Sequence, residues 1–342
     1  MQEISFYQNH LDQVSRSFAF CIKKLDSPFR QWISLSYLLC RVLDTIEDSP
    51  WEDVSLRNSQ YAEFESFLNQ APSPAVVSAW SAKFPKAIPE SEKGLLNQAF
   101  ILFDDLHGLT EQVRQDIRET VTCMSAGMRH YASNHAQNKT LRLETLAEVN
   151  RYCYFVAGIV GELLTRLFSE YRTDFKPGPE IWKNAFHFGL FLQKVNLLKD
   201  QRSDEREGRY LVPDRTVVLS SLRENAVGAI DYITSLPQDE KGYRVFCAWS
   251  LFLGAASLPF IEQSYEQDDK SKIPRSVTEQ LLAAIEEIAQ DNSALRSGME
   301  EYLPLLPHYT PENIISPMST DWFKKISGNV LASTDLLELR VL

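Results

Sequence analysis

The chain has 342 residues, of which 44% are hydrophobic and 11% aromatic, which allows a sizeable buried core and excludes an intrinsically disordered protein. Its formal charge of −11 argues against nonspecific binding to nucleic acid or to an anionic membrane surface. The five cysteines have no CxxC spacing and are typical of reduced core thiols in a cytoplasmic protein.

The first residues, MQEISFYQNH, lack the basic-then-apolar order of a signal peptide. Shortly afterwards Ser15-Arg16-Ser17-Phe18 interrupts the helical pattern with hydroxyl groups and a guanidinium. Two interpretations are open at this point. The segment is either a helix N-cap with a surface arginine, or an anion site in which the fixed donors of Arg16 bind phosphate oxygens.

The stretch Trp32–Asp48 predicts a buried helix with a single polar stripe, because its apolar residues point nearly all the way round. Four polar residues recur at i, i+4, i+7 and i+11 and share one face of a helix with about 3.6 residues per turn. They are Tyr37, Arg41, Asp44 and Asp48. Since isolated charges are very unfavourable in apolar surroundings, we expect this stripe to face a cavity, a metal or a second polar stripe.

Residues 70–91 hold four prolines and predict an irregular excursion around a short helix. We expect long helices over Val113–Ala132 and Leu143–Phe168 after a helix that Gly108 ends. Tyr152, in the second of these, is on spacing alone as consistent with a core tyrosine as with a site residue.

A second acidic stretch, Phe188–Asp204, repeats the pattern of the first about 150 residues later. Its polar face consists of Gln193, Asn196, Asp200 and Asp204. We expect the two stretches to form facing walls. The charged turn that follows, Glu205–Pro213, is predicted to be a mobile flap.

Carboxylates four residues apart on a helix repel one another, and the repulsion grows when they are buried. The two pairs, Asp44 with Asp48 and Asp200 with Asp204, therefore predict a multivalent cation. Oxygen ligands without clustered histidine or cysteine favour Mg²⁺, which keeps positions open for water or for phosphate oxygens.

Beyond this point the pattern predicts further helices and a charged loop over Gln267–Arg275. The helices are expected over Asp214–Leu236, Gly242–Leu258, Val277–Ser297 and Pro317–Leu337. The longest uncharged run, Val245–Ile261, is at the short limit for a membrane span and is interpreted as a buried core helix. Strand signals are almost absent, so we predict an all-α, single-domain helical bundle with a central cavity.

These motifs together resemble the squalene/phytoene synthase family, and most of all its squalene synthase branch. The motifs are SRSF (15–18), YLLCRVLDTIED (37–48), YCYFVAGIVG (152–161), GLFLQKVNLLKDQRSD (189–204), Gly208-Arg209 and Phe246-Cys247-Ala248. They cover a family-like core of about residues 15–275, with C-terminal helices over 276–342. The resemblance implies the class I isoprenoid (terpenoid) synthase fold over 1–342.

The resemblance implies that two farnesyl diphosphate molecules condense to presqualene diphosphate, which NADPH then reduces to squalene. The metal ligands for Mg²⁺ would be Asp44, Glu47, Asp48, Asp200 and Asp204. The residues for substrate or cofactor phosphates would be Arg16, Arg41, Asn196, Lys199, Arg209, Lys272 and Arg275. Tyr152, Tyr37 and Arg41 would take part in catalysis. Lys199 departs from the family pattern, which usually has arginine there.

An apolar pocket with aromatic faces would shelter the carbocation. Its candidate aromatics are Phe18, Tyr37, Tyr152, Phe155, Phe188 and Phe191. Two alternatives stay open: a synthase that stops without reduction at dehydrosqualene, phytoene or presqualene diphosphate, and a noncatalytic helical protein that binds prenyl lipids. We expect a monomer or weak homo-oligomer without nucleic acid, located in the cytoplasm, with peripheral membrane contact for product release left open.

Overall fold

A computed structural model describes residues 1–267 and 272–306, apart from the side chains of Arg16 and Ser17. Within these ranges the chain is almost entirely α-helical and contains one two-stranded parallel sheet. The prediction of an all-α protein is confirmed. The predicted helix Pro317–Leu337 lies outside the described residues, as does part of the predicted loop Gln267–Arg275.

The first third of the chain folds into short helices around one long helix. They are α1 (Ile4–Val14), α2 (Arg16–Ile22), α3 (Phe29–Asp48), α4 (Val54–Asn69), α5 (Pro74–Ser81), α6 (Glu90–Asn97) and α7 (Ala99–His107). Ser15 has an extended backbone and separates α1 from α2, which confirms the predicted interruption. The helix predicted before Gly108 ends there but is divided at Gln98.

The middle of the chain holds the longest helices and both strands. The elements are α8 (Glu111–Asn138), β1 (Leu141–Arg142), α9 (Leu146–Cys153), a π-helical turn (Tyr154–Gly158), α10 (Ile159–Tyr171), α11 (Pro179–Arg206) and β2 (Arg209–Tyr210). The predicted helix over Leu143–Phe168 is present from Leu146 onward, but it contains a π-helical turn. A π-helical turn adds a residue to the local repeat, a change that apolar spacing alone does not reveal.

The last described helices are α12 (Arg215–Ser235), α13 (Lys241–Gln267), α14 (Arg275–Ile288) and α15 (Asn292–Glu300), followed by a 3₁₀ turn (Leu303–Leu305). The predicted helix Val277–Ser297 is two helices. Asp291 starts the second one, because its side chain accepts hydrogen bonds from the backbone N–H groups of Ser293 and Ala294.

Helix α3 lies at the centre of the core and packs against α1 and α8. Its apolar side chains are inaccessible to solvent over most of the circumference, as Leu35, Leu39 and Leu43 show. The expectation of a buried helix is confirmed. The polar stripe is the part of α3 that does not join this core.

Close backbone contact brings α11 against α10 and the π-helical turn. A Cβ atom added at Gly161 would lie 2.1 Å from the carbonyl oxygen of Ala185, and one added at Gly189 would lie 2.4 Å from that of Ala157. These distances are shorter than real Cβ contacts, so only glycine fits at either position. The two glycines therefore allow α11 to lie in close backbone contact with α10 and with the π-helical turn.

Among the described residues, α13 is long and apolar enough to cross a membrane by length and composition. In the most apolar 18-residue stretch of α13, 61% is buried inside the protein. This burial is consistent with the predicted core helix over the run Val245–Ile261.

Candidate active site

A cavity of about 640 Å³ opens between the long helices. Its apolar lining includes buried side chains such as Ile22, Leu163 and Phe246. Its polar lining includes Asp48, Asn196 and Lys199, which are exposed to solvent. The cavity therefore has a charged end that is open to water and an apolar end that is closed by the core.

Helix α3 supplies the first polar wall of this cavity. The four members of its predicted stripe all line the cavity, together with Glu47. The stripe ends in the last turn of α3, where the helix dipole disfavours negative charge. The carboxylates at this helix end are thus in a position where a cation is favoured.

Helix α11 supplies the opposite wall. The side chains of Gln193, Asn196, Asp200 and Asp204 all line the same cavity as the α3 stripe. Lys199 lies beside them, with its Nζ 3.2 Å from an Asp200 carboxylate oxygen. The predicted arrangement of two acidic stretches around a common space is confirmed by this geometry.

A short parallel strand pair holds Arg209 at the edge of the cavity. The N–H of Leu141 donates to the Gly208 carbonyl at 2.9 Å, and Gly208 has a φ of +78°, a conformation that favours glycine. Arg209 lies 2.7 Å from Asp204 and 2.9 Å from Glu207 through one terminal nitrogen. Its buried Nε has no hydrogen-bond partner among the described residues, so it has donor capacity left for a ligand.

The carboxylates of the site are held in surroundings that oppose their ionisation. Burial raises the pKa of Asp44 to about 7, with Arg41 acting in the opposite direction and Asp48 adding to the rise. Burial and the neighbouring aspartates raise the pKa of Glu47 to about 8. Burial likewise raises the pKa of Asp204 to about 6, against the effect of Arg209. The site therefore carries an excess of acidic groups over cations.

The donors in this cavity fit Mg²⁺ by their chemistry. They are carboxylate oxygens on two walls, and added positive charge would relieve the raised pKa values. Within the described ranges, no three acidic, histidine or cysteine side chains converge as a complete metal site. Because Mg²⁺ usually takes one or two carboxylates and fills its remaining positions with water and phosphate, this arrangement suits an ion shared with a diphosphate.

We expect the raised carboxyl pKa values to make the metal-free protein less stable as pH increases from about 5 to about 8. Over this interval the folded state keeps a proton on Glu47 that the unfolded chain has already lost, so rising pH favours unfolding. The measurement is the difference in unfolding free energy between wild type and Glu47→Gln at both pH values. Wild type should lose stability relative to the variant at the higher pH, and a constant difference would contradict the assignment.

Tyr152 and Tyr37 also line the cavity. Tyr152 is 7% exposed and packs edge-on against Tyr131, with ring centroids 5.0 Å apart. Burial, followed by the nearby Glu47, raises the pKa of the Tyr152 hydroxyl well above its usual value. Burial also raises the pKa of Tyr37, to about 12. Both phenols are therefore protonated donors at neutral pH.

Several of the predicted site residues do not line the cavity. Arg275 is 92% exposed at the start of α14 and pairs with Glu279, and Lys272 lies in the exposed segment before it. The side chain of Arg16 is outside the described residues. Of the predicted aromatics, Phe155 and Phe191 are core residues outside the lining, whereas Phe18 and Phe188 are part of it.

Sequence reasoning missed Glu92, a buried residue of α6 that contacts the site through Arg41. The Arg41 Nε and one terminal nitrogen both donate to Glu92 Oε1, at 3.0 and 2.6 Å. The two residues are 51 positions apart in the chain, and Glu92 lies just beyond the irregular excursion predicted over residues 70–91. No periodic signal connects them, because the contact depends on how α6 packs against α3.

Comparison with known proteins adds a family and a fold. The model of the squalene/phytoene synthase family matches residues 11–230. A squalene synthase of Schizosaccharomyces pombe is 32% identical over 204 residues, which cover 59% of this chain and 42% of that protein. The human squalene synthase is 31% identical over 204 residues, covering 60% of this chain and 45% of that protein. The chain thus matches less than half the length of these curated relatives.

Two solved structures have a similar fold. TcSQS in complex with a ligand superposes with a TM-score of 0.71 at 21% identity, covering 98% of both chains. A dehydrosqualene synthase in complex with a ligand superposes with a TM-score of 0.51 at 19% identity, covering 87% of this chain and 96% of the other. At these identities the superpositions bear on the fold alone, and they agree with an all-α isoprenoid-synthase architecture.

Proposed function

The chain belongs to the squalene/phytoene synthase family, and from this premise we propose that it is a Mg²⁺-dependent squalene synthase. In this proposal two farnesyl diphosphates condense head to head to presqualene diphosphate, which is then reduced to squalene with NADPH. The observation that carries the proposal is the pairing of two acidic walls across one cavity that is apolar at its other end. The 30–34% identity to several squalene synthases supports the choice of substrate and product.

The charged end of the cavity is proposed to bind the diphosphate groups. Asp44 and Asp48, with Glu47, would hold Mg²⁺ on one wall, and Asp200 and Asp204 would hold it on the other. When bound, Mg²⁺ supplies positive charge that stabilises diphosphate as it leaves the farnesyl carbon. Four further side chains are proposed to bind the phosphate oxygens. They are Arg41, Arg209, Lys199 and Asn196.

The apolar end is proposed to hold the farnesyl chains and to exclude water. Departure of diphosphate breaks the C1–O bond of one farnesyl group and leaves an allylic cation, which water would quench. The lining here contains Phe18, Phe188 and Leu163 in place of hydrogen-bonding groups. The double bond of the second farnesyl group is then the nucleophile nearest to the cation, and loss of one proton closes the cyclopropane ring.

Tyr152 is proposed to orient and shield the cation and not to act as the base. Its hydroxyl holds its proton at neutral pH, because burial and Glu47 raise its pKa. A neutral phenol donates a hydrogen bond and presents an aromatic face, and aromatic faces attract cations by about 1 to 2 kcal/mol in a dry pocket. The departing diphosphate is the stronger proton acceptor within reach of the charged end.

We expect Tyr152→Phe to lower product formation by about tenfold, the effect of one lost hydrogen bond in the transition state, because the aromatic face remains. The binding of Mg²⁺ and pyrophosphate, measured by calorimetry, should be unchanged. The matched control is Tyr131→Phe, since Tyr131 contacts Tyr152 and lies outside the lining. A loss of a thousandfold or more would instead assign proton abstraction to the Tyr152 oxygen.

Product analysis tests the function directly. The protein is incubated with farnesyl diphosphate and Mg²⁺, with and without NADPH, and the extracted hydrocarbons and diphosphates are separated by mass. We expect squalene with NADPH and presqualene diphosphate without it. Identical products under the two conditions would contradict the reductase activity and leave the condensation standing.

A synthase that stops before reduction is the second candidate, and one observation favours it. Lys272 and Arg275, the residues that the family resemblance assigns to NADPH phosphates, are exposed and lie outside the cavity lining. The residues proposed for the condensation all line one cavity, whereas the residues assigned to NADPH do not line it. Dehydrosqualene, phytoene or presqualene diphosphate as the sole product would establish this candidate.

A noncatalytic prenyl-lipid-binding protein would release no pyrophosphate under any of these conditions. The assay therefore also distinguishes this hypothesis from squalene synthase and from a synthase that stops before reduction. Location in the cytoplasm, with peripheral membrane contact for product release, and a monomer or weak homo-oligomer remain predictions, as does the extension of a single helical domain through residues 276–342.

A further inference from the structure

Glu92 is a buried carboxylate that none of the proposed chemical steps uses directly. It is 4% exposed and lies on α6, outside the helices that carry the two acidic stripes. A buried charge is unfavourable unless it is paired and hydrogen-bonded. Its partners therefore indicate what it does.

Both oxygens of Glu92 contact α3 within the acidic stretch. Oε1 accepts from Arg41 Nε and from one terminal nitrogen of the same guanidinium, at 3.0 and 2.6 Å. Oε2 lies 2.8 Å from the hydroxyl of Thr45, which also lies 2.9 Å from the Arg41 carbonyl oxygen. The carboxylate thus holds the guanidinium along one edge and is itself oriented by a second residue of α3.

This contact leaves the other terminal nitrogen of Arg41 on the side of the acidic stripe. That nitrogen forms an ion pair with Asp44, 3.7 Å from a carboxylate oxygen, a distance that is too long for a hydrogen bond. Arg41 is 31% exposed and lines the cavity. Its free edge is therefore available to an oxygen atom of a ligand in the cavity.

Without Glu92, the guanidinium would have no competing anion on its other side. The nearest carboxylate is that of Asp44, and a planar guanidinium forms two parallel hydrogen bonds with a carboxylate when the geometry allows. Such a pair would occupy the oxygens that are proposed to bind Mg²⁺ and would remove Arg41 from the phosphate site. One displacement would then weaken both parts of the anion site.

We propose that Glu92 is a positioning residue, which holds Arg41 ready for a diphosphate oxygen and keeps it from forming direct hydrogen bonds with Asp44. This inference rests on the proposed function, because it assumes that the charged end of the cavity binds Mg²⁺ and diphosphate. It adds α6 to the parts of the protein that determine diphosphate binding, although α6 contributes no residue to the cavity lining.

The test is calorimetric binding of inorganic pyrophosphate in the presence of Mg²⁺. We expect Glu92→Gln and Glu92→Asp each to weaken binding by about tenfold, equivalent to about 1.4 kcal/mol. Glu92→Asp keeps the charge but shortens the side chain by one methylene. It therefore distinguishes the effect of the carboxylate's position on binding from the effect of its charge. The control is Glu90→Gln on the same helix, whose side chain is 87% exposed, and it should bind as wild type does.

A double-mutant cycle with Arg41→Met separates positioning from general damage to the fold. If Glu92 acts through Arg41, Glu92→Gln should weaken pyrophosphate binding in the wild-type background and have no further effect in the Arg41→Met background. Thermal unfolding of each variant shows that the molecules compared are folded. A purely structural Glu92 would lower the melting temperature without this dependence on Arg41.

The possible results differ in what they overturn. Wild-type affinity in both Glu92 variants would overturn the positioning role and leave the proposed function intact. Normal binding in Glu92→Asp with weak binding in Glu92→Gln would show that charge alone matters, which also overturns the positioning role. Absence of Mg²⁺-dependent pyrophosphate binding by the wild type would overturn the proposed function together with this inference.

Discussion

Replacement of Asp44 by asparagine is expected to lower the rate of product formation by about a hundred- to a thousandfold and to leave the protein folded. Asp44 lines the cavity on the first wall, in the last turns of α3, and is proposed to hold Mg²⁺ against the leaving diphosphate. Asparagine keeps the shape of the side chain but removes the negative charge that is proposed to bind the metal. The loss therefore falls on the step in which diphosphate departs.

The stability of Asp44→Asn should be equal to or slightly greater than that of wild type in the absence of metal. Burial raises the pKa of Asp44 to about 7, which means that the folded state disfavours the ionised form. Asparagine also removes the repulsion from Asp48 one turn away. Thermal unfolding without Mg²⁺, alongside a farnesyl diphosphate turnover assay, measures both effects.

The matched control is Asp104→Asn, an exposed aspartate on α7 outside the cavity. It should change neither turnover nor the melting temperature. If Asp44→Asn unfolded the protein, the carboxylate would be structural, and if it retained full turnover the proposed metal role would be wrong. Asp200→Asn on the opposite wall should resemble Asp44→Asn, since both walls are proposed to hold one diphosphate.

Replacement of Gly189 by alanine is expected to destabilise the protein by about 3 kcal/mol, at the upper end of the usual effect of overpacking. The new methyl group would lie 2.4 Å from the carbonyl oxygen of Ala157 and 2.7 Å from Cα of Gly158. Both atoms belong to backbone in the π-helical turn, so neither can rotate away as a flexible side chain would. Helix α11 must then move away from the turn.

Such a movement should affect activity beyond its effect on stability, because α11 carries Asp200 and Asp204. Gly161→Ala should behave similarly, since its methyl group would lie 2.1 Å from the carbonyl oxygen of Ala185 on α11. Denaturant unfolding and turnover of the folded fraction measure the two effects. The control is Gly178→Ala at the start of α11, where a methyl group would have no atom within 4 Å. Equal stability of Gly189→Ala and Gly178→Ala would contradict the close helix contact.

The two acidic stripes are the part of the site that could be predicted most fully from the sequence. Their residues recur at helical spacing within otherwise apolar stretches, and a buried charge without a partner is so unfavourable that the pattern requires a common polar space. The structure places both stripes around one cavity. The roles of Asp44, Asp200 and their neighbours in metal binding remain proposals that the variants above test.

The residues proposed to bind phosphate are only partly brought together by the fold. Arg41 and Arg209 do line the cavity, whereas Lys272 and Arg275 do not. An exposed basic residue has no periodic constraint, so its position relative to the site depends on where α13 ends and α14 begins. The same limitation applies to Phe155 and Phe191, because apolar spacing does not distinguish a residue of a cavity wall from one of the core behind it.

The sequence by itself determined the helical class, the buried centre at α3 and the two polar stripes, because helix periodicity and the energy of charge burial act within a single segment. Only the tertiary structure decided which glycines set the distance between α10 and α11, where the π-helical turn falls, and that Glu92 contacts Arg41. These features depend on atoms that are distant in the chain and meet only when the helices pack. The pattern of residues within one segment cannot predict such contacts, because the free energy that favours them comes from packing between segments.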